Sequence, residues 1–139
     1  MFEKVKKEVF EGLKSLKIKN GAVHSEFKIT SNGDIKIIEI GARMGGDCIG
    51  SDLVQISTGY DFLKMVIDVS LGNKPDFKKI SEPKKAIIKF IFTEDDIKEL
   101  EQIKQKNPYY IYYESPIDKI NSHKIIDSST RYGYYILSF

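Results

Sequence analysis

The sequence has 139 residues, 41% hydrophobic and 30% charged, with a net charge of +2. That length fits an ordinary domain with a real core, and the composition excludes a disordered chain. The near-neutral balance makes no case for nucleic acid, no apolar run is long enough for a signal peptide or membrane helix, and the single Cys48 leaves no intrachain disulfide, which fits a reducing cytoplasm.

Apolar residues Val5, Val9, Leu13 and Leu16 step by three and four, which predicts an amphipathic helix over 3–17 with lysines on its wet face and Asn20-Gly21 as its stop. Residues 22–30 and 35–41 read as strands joined at Asn32-Gly33, a dipeptide that tolerates the positive φ of a tight hairpin turn. A glycine-rich loop, Gly41 to Gly50, follows. Helices are predicted over 51–58, capped by Ser51 or Asp52, and over 61–71, capped by Asp61, with Gly59 between them and Gly72 at the end. The second of these carries its apolar stripe on Phe62, Met65, Val66 and Val69. Residues 76–83 form a polar linker between Pro75 and Pro83. Beyond it come a strand over 84–92, a helix capped by Thr93 and stopped by Asn107-Pro108, and strands over 109–114, 124–127 and 132–137. The expected class is α+β (α/β): a mostly antiparallel sheet flanked by helices, with one domain over 1–75 and a small α+β appendage over 84–139.

The hairpin is where chemistry first shows. If Asn32-Gly33 is a two-residue loop, facing residues sum to 65, so Glu26 faces Glu39, His24 faces Gly41 and Lys28 faces Ile37. Alternation then puts His24, Glu26, Lys28, Ile37 and Glu39 on one side and Val23, Phe27, Ile29, Ile38 and Ile40 on the core side. Two facing carboxylates about 5 Å apart repel by roughly 3 kcal/mol at an effective dielectric of about 20. Lys28, Arg43 or a hard dication can offset this, and magnesium in particular combines one or two carboxylates with substrate phosphates. The bland reading is a solvated hairpin whose glutamates splay apart, and a three-residue loop would shift the register by one. The flanking residues favour the metal. Arg43 carries a fork suited to phosphate or carboxylate, while Gly45 and Gly46 let backbone N–H groups approach a ligand.

Taken together, Gly21-Ala-Val-His-Ser-Glu26-Phe, Asn32-Gly33-Asp34, Ile38-Glu39-Ile-Gly-Ala-Arg43-Met-Gly-Gly-Asp47, Ser57-Thr-Gly59-Tyr-Asp61 and Gly72-Asn-Lys-Pro75 resemble the C-terminal half of an ATP-grasp domain. The pattern lies nearest the carboxylate–amine ligase branch, with its amino-acid ligases, carnosine-synthase-like enzymes and carbamoyl-phosphate-synthase-like proteins. The resemblance implies that ATP phosphorylates a small carboxylate to an acyl phosphate, which an amine (or thiol) then attacks. It makes Glu26 and Glu39 ligands of Mg2+ (or Mn2+) on the ATP phosphates. It makes Arg43 the catalytic arginine at the transferring phosphate, and it sets Gly45 and Gly46 against the carboxylate substrate; Asp47 is a further substrate-binding candidate, whose carboxylate can bind the substrate amine, orient Arg43 or merely cap a turn. Many members carry Asn where this chain has Gly41, and some carry an apolar residue where it has Lys28. The family also needs an N-terminal half with phosphate-binding lysines. The resemblance therefore implies a chain inactive by itself that meets that half, or a second copy, through an exposed apolar patch. The alternative is a non-catalytic remnant acting as a binding or assembly module.

Other features read more plainly. A lone strand histidine such as His24 is more often structural than a substrate contact. Cys48 has no evident base and reads as a small apolar filler. The Tyr109–Tyr113 run reads as an aromatic strand rather than a base-stacking surface, and Arg131 as a turn or surface residue.

Overall fold

Two antiparallel sheets, each with helices of its own, make up the computed structural model, which describes residues 1–139. The class is α+β, as expected. The chain divides into two compact units, one formed by Met1–Gly50 with Phe62–Phe77 and the other by Ser51–Asp61 with Lys78–Phe139.

In the first unit, α1 (Phe2–Ser15) lies against the second strand of the hairpin β1 (His24–Ile29) and β2 (Ile35–Gly41). The helix stops earlier than Asn20-Gly21. Lys17 takes a left-handed φ of 57°, its N–H donates to Lys14 O at 2.9 Å, and Ile18 N–H donates to Leu13 O at 3.0 Å. This paired arrangement closes a helix C-terminus, and here it is built without a glycine. Lys4 near the helix start reaches the hairpin turn, donating to Gly33 O at 2.6 Å. A π-helical turn over Ile49–Leu53 leads out of this unit into α2 (Val54–Thr58), which belongs to the second, so the helix begins before Ser51, and Ser51 and Asp52 bond each other rather than capping it. Helix α3 (Phe62–Ser70) turns its predicted stripe inward: Phe62, Met65, Val66 and Val69 line a cleft of about 220 Å3 with Ala22, Pro75 and Phe77.

The second unit holds a three-stranded sheet, in the order β3 (Ala86–Ile91), β5 (Gly133–Ser138), β4 (Ile111–Glu114). Strand β5 is central and buries Gly133, Tyr135, Ile136 and Leu137, as a strand covered on both faces must. Helix α4 (Glu94–Lys106) packs Leu100, Ile97 and Ile103 onto Ile91, Tyr135 and Leu137 to form the core. The Tyr135 hydroxyl is pushed up to about 12, first by burial and then by the carboxylates of Glu99 and Asp96. The predicted strand at 124–127 does not form. Asp127 instead caps a 3-10 turn over Ser128–Thr130, accepting from Ser129 N–H at 2.9 Å. Arg131 places its guanidinium 3.7 Å from the centre of the Phe90 ring, a cation–π contact rather than a bare turn position.

Thr93 caps α4 as its sequence predicts. Its hydroxyl accepts from Asp96 N–H at 3.4 Å, and Asp96 accepts in return from Thr93 N–H at 2.8 Å and Phe92 N–H at 3.0 Å. Burial works against the ionised carboxyl, but the bonds from Phe92 and Thr93 outweigh it and hold Asp96 below its ordinary value of 3.8. A depressed folded-state pKa means that stability is present above the ordinary value and lost as pH falls through the depressed one. Thr93→Ala is expected to cost about 1 kcal/mol in urea unfolding at neutral pH. Asp96→Asn should remove part of the acid-limb loss below pH 3.8; acid titrations of unfolding with the same slope in both proteins would refute the assignment.

Candidate functional site

The site is built on the hairpin, and the hairpin is less regular than its sequence predicts. Gly33 N–H donates to Thr30 O, and Thr30 N–H to Asp34 O, both at 2.9 Å, with Gly33 at a φ of 77°. Ser31, Asn32 and Gly33 therefore form a three-residue loop, not a two-residue one. The loop moves the first rungs by one: Ile29 faces Ile35, Lys28 faces Lys36 and Phe27 faces Ile37. A bulge then absorbs Ile38, and from there inward the pairs are Glu26 with Glu39, Ser25 with Ile40 and His24 with Gly41. The two irregularities cancel, so the glutamates face each other as expected, although the route differs.

The cause lies in the side chains. Strand β1 alternates without a break, whereas β2 carries two successive isoleucines, Ile37-Ile38. Without a bulge one of the apolar sets on either side of that break would sit on the wrong face. With it, Ile35, Ile37 and Ile40 share a face with Phe27 and Ile29, while His24, Glu26, Lys28, Lys36 and Glu39 share the other. Ile37 thus leaves the glutamate side, to which the simple register assigns it, and Ile38 leaves the core side and stands 67% exposed. Lys36 is the residue that sequence reasoning missed. The doubled isoleucine was the signal that could have found it.

Around the glutamate rung the contacts are these. Arg43 Nη2 lies 3.6 Å from Glu39 Oε1, and its Nη1 donates to Met44 O at 3.1 Å. His24 Nδ1 lies 4.0 Å from Glu26 Oε1 and is buried without a hydrogen-bond partner. The glycine loop folds back on itself, with Ile49 N–H donating to Gly46 O at 2.8 Å and Gly50 N–H to Gly45 O at 3.3 Å. Asp47 and Cys48 take left-handed φ values of 49° and 60° in succession, a conformation that costs side-chain-bearing residues about 1–2 kcal/mol each. Gly45 is closely overlain: a Cβ there would sit 2.8 Å from Ile49 Cγ2 and 3.2 Å from His24 Cδ2, whereas one on Gly46 would meet nothing within 4 Å. The structure therefore gathers Glu26, Glu39, Arg43 and His24, with Gly45 against the histidine, while Gly46 and Asp47 are exposed.

No group of three or more His, Cys, Asp or Glu side chains is placed to hold a metal ion. The donor set is two carboxylates, which suits a hard, largely hydrated cation that completes its shell with water and phosphate, and does not suit a closed protein cage.

No protein-family model and no curated protein matches the chain. Among solved structures, the L-amino acid ligase from Bacillus licheniformis matches with a TM-score of 0.73 and 24% identity over 96% of this chain. The chain has the fold of part of that ligase. It spans 34% of that structure's length. No helix is long and apolar enough to cross a membrane.

The two glycines make different demands. Gly45→Ala forces Ile49 or the His24 ring to move and is expected to destabilise the first unit by about 1–3 kcal/mol. Gly46→Ala should stay within about 0.5 kcal/mol of wild type. Denaturant unfolding of both variants checks this, and equal effects would mean that the loop is looser than described.

Proposed function

We propose that this chain is the C-terminal part of an ATP-grasp ligase, of the branch that joins a small carboxylate to an amine (or thiol) through an acyl phosphate. The observation that carries the reading is the Glu26–Glu39 rung with Arg43 beside it, on a fold shared with an L-amino acid ligase. The ATP-grasp sequence pattern supports it independently. A magnesium ion held by Glu26 and Glu39, or manganese in its place, would supply neutralisation of phosphate charge. Arg43 is the cation able to follow the transferring phosphate, since its fork matches phosphate oxygens and its only carboxylate neighbour, Glu39, is 3.6 Å away rather than in a tight bidentate pair. Gly45 and Gly46 offer backbone close to a carboxylate substrate, and Asp47 offers a counter-charge to its amine. Cytoplasmic placement follows from the same reading.

The first unit also leaves open strand edges and apolar surface for a partner. Its hairpin is two-stranded with both edges open, and among its apolar side chains only Ile35 is buried. Phe2, Phe10, Ile38, Ile67 and Phe77 are all more than half exposed. A two-stranded sheet is marginal alone, and open edges and apolar surface invite further chain. We take the occupant to be the N-terminal ATP-grasp half, with a second copy of this chain as substitute. The same surface supports the second reading, an assembly module without chemistry.

Nucleotide binding separates the two. Magnesium-dependent ATP binding, measured by calorimetry on this chain with its N-terminal half, is expected and should be lost in Glu39→Gln. Binding indifferent to that substitution would sink the metal assignment. The chain alone should show no sustained ATP hydrolysis, and turnover by the pure chain would overturn its being a part.

A further inference from the structure

His24 is the one side chain at this site with an unexplained polar atom. Its Nδ1 is buried and unpartnered, although the imidazole as a whole keeps 23% of its surface exposed. A buried donor or acceptor left without a partner costs about 1–3 kcal/mol, so its persistence calls for a reason. The nearest candidate is Glu26 Oε1, 4.0 Å away, a separation that a small swing of either side chain would close to a hydrogen bond. The rest of the ring's surroundings favour that swing. Across the ladder His24 faces Gly41, which offers no side chain to compete. Beneath it lies Gly45, whose missing Cβ leaves the ring room at 3.2 Å. The glycine loop and the metal-side strand are thus in contact through this imidazole.

We propose that His24 is a positioning residue: its Nδ1–H donates to Glu26 Oε1 when a cation is held, fixing the carboxylate so that Oε2 points across the rung toward Glu39. This rests on the metal reading of Glu26 and Glu39 given above. The principle is general: groups that hold a ligand's free oxygen are worth about 10- to 100-fold in metal affinity. The tautomer follows, with the proton on Nδ1 and Nε2 toward solvent. Gly45 acquires a second reason to be glycine, because a larger residue there would displace the ring and with it Glu26.

The test uses this chain with its N-terminal half and ATP, with manganese as the probe, read by paramagnetic broadening of backbone amide signals at 26 and 39 and by titration of free Mn2+. His24→Phe keeps the ring over Gly45 but removes the donor; it should unfold as wild type does yet bind Mn2+ about 10- to 100-fold more weakly. His24→Asn, which restores an N–H near the place of Nδ1, should recover most of the affinity. Equal affinity in wild type and His24→Phe, or no recovery with Asn, overturns the proposal while leaving the metal site standing. Absence of broadening at 26 and 39 in the wild-type protein overturns both, and Glu39→Gln is the control that tells the two failures apart.

Discussion

Everything of chemical interest in this chain depends on a compensation within one hairpin. The three-residue loop at Ser31–Gly33 displaces the strands by one residue, and the bulge at Ile38 displaces them back. Either alone would send the second glutamate to the opposite face of the sheet, because side chains alternate with a period of two. The apolar pattern of the two strands accounts for the pair of corrections, although of their residues only Ile35 is buried. Phe27, Ile29, Ile35 and Ile37 must share a face near the turn, and Ile40 must share it farther in, and only an extra residue between Ile37 and Ile40 satisfies both demands. The glutamates are brought together by the hydrophobic residues around them, not by any attraction of their own. Their mutual repulsion is a cost that the apolar face sustains, with Arg43 near one of them and the His24 ring near the other.

The second unit shows a different economy of forces. Its central strand is buried on both faces, and its helix is fixed at one end by a reciprocal pair of bonds between Thr93 and Asp96. Farther along, Lys104 bridges to Glu114 on β4 at 2.8 Å and to Glu101 on its own helix at 2.9 Å. Both carboxylates raise the Lys104 ammonium above its ordinary range. This unit has the buried core that the first one lacks.

Much of this was legible in the residues. The Thr93 cap, the α3 stripe, β2 to the residue and the Glu26–Glu39 rung all follow from short-range chemistry that acts the same way in any fold. The misreadings have physical causes of their own. Lys17 ended the first helix because a left-handed residue need not be glycine when two hydrogen bonds hold it. Residues 124–127 have strand-forming side chains but find no neighbouring strand, and Asp127 and Thr130 bond to local backbone instead. The position of Lys36 required weighing loop length against the doubled isoleucine that directly follows it, and a loop motif taken alone carries no such information. The closeness of His24 to Gly45 is tertiary, and nothing in local sequence encodes it.

The left-handed pair Asp47-Cys48 has a bearing on how related sequences can be sorted. Aspartate, asparagine and glycine reach that backbone region at modest expense, and a small unbranched residue can be held there. Valine, isoleucine and threonine cannot without severe strain. A chain that keeps the two glutamates and the arginine but places a β-branched residue directly after the Gly-Gly pair must route this loop differently. Such a chain would have parted with the geometry that sets Gly45 under the histidine, whatever the rest of its motif spells out.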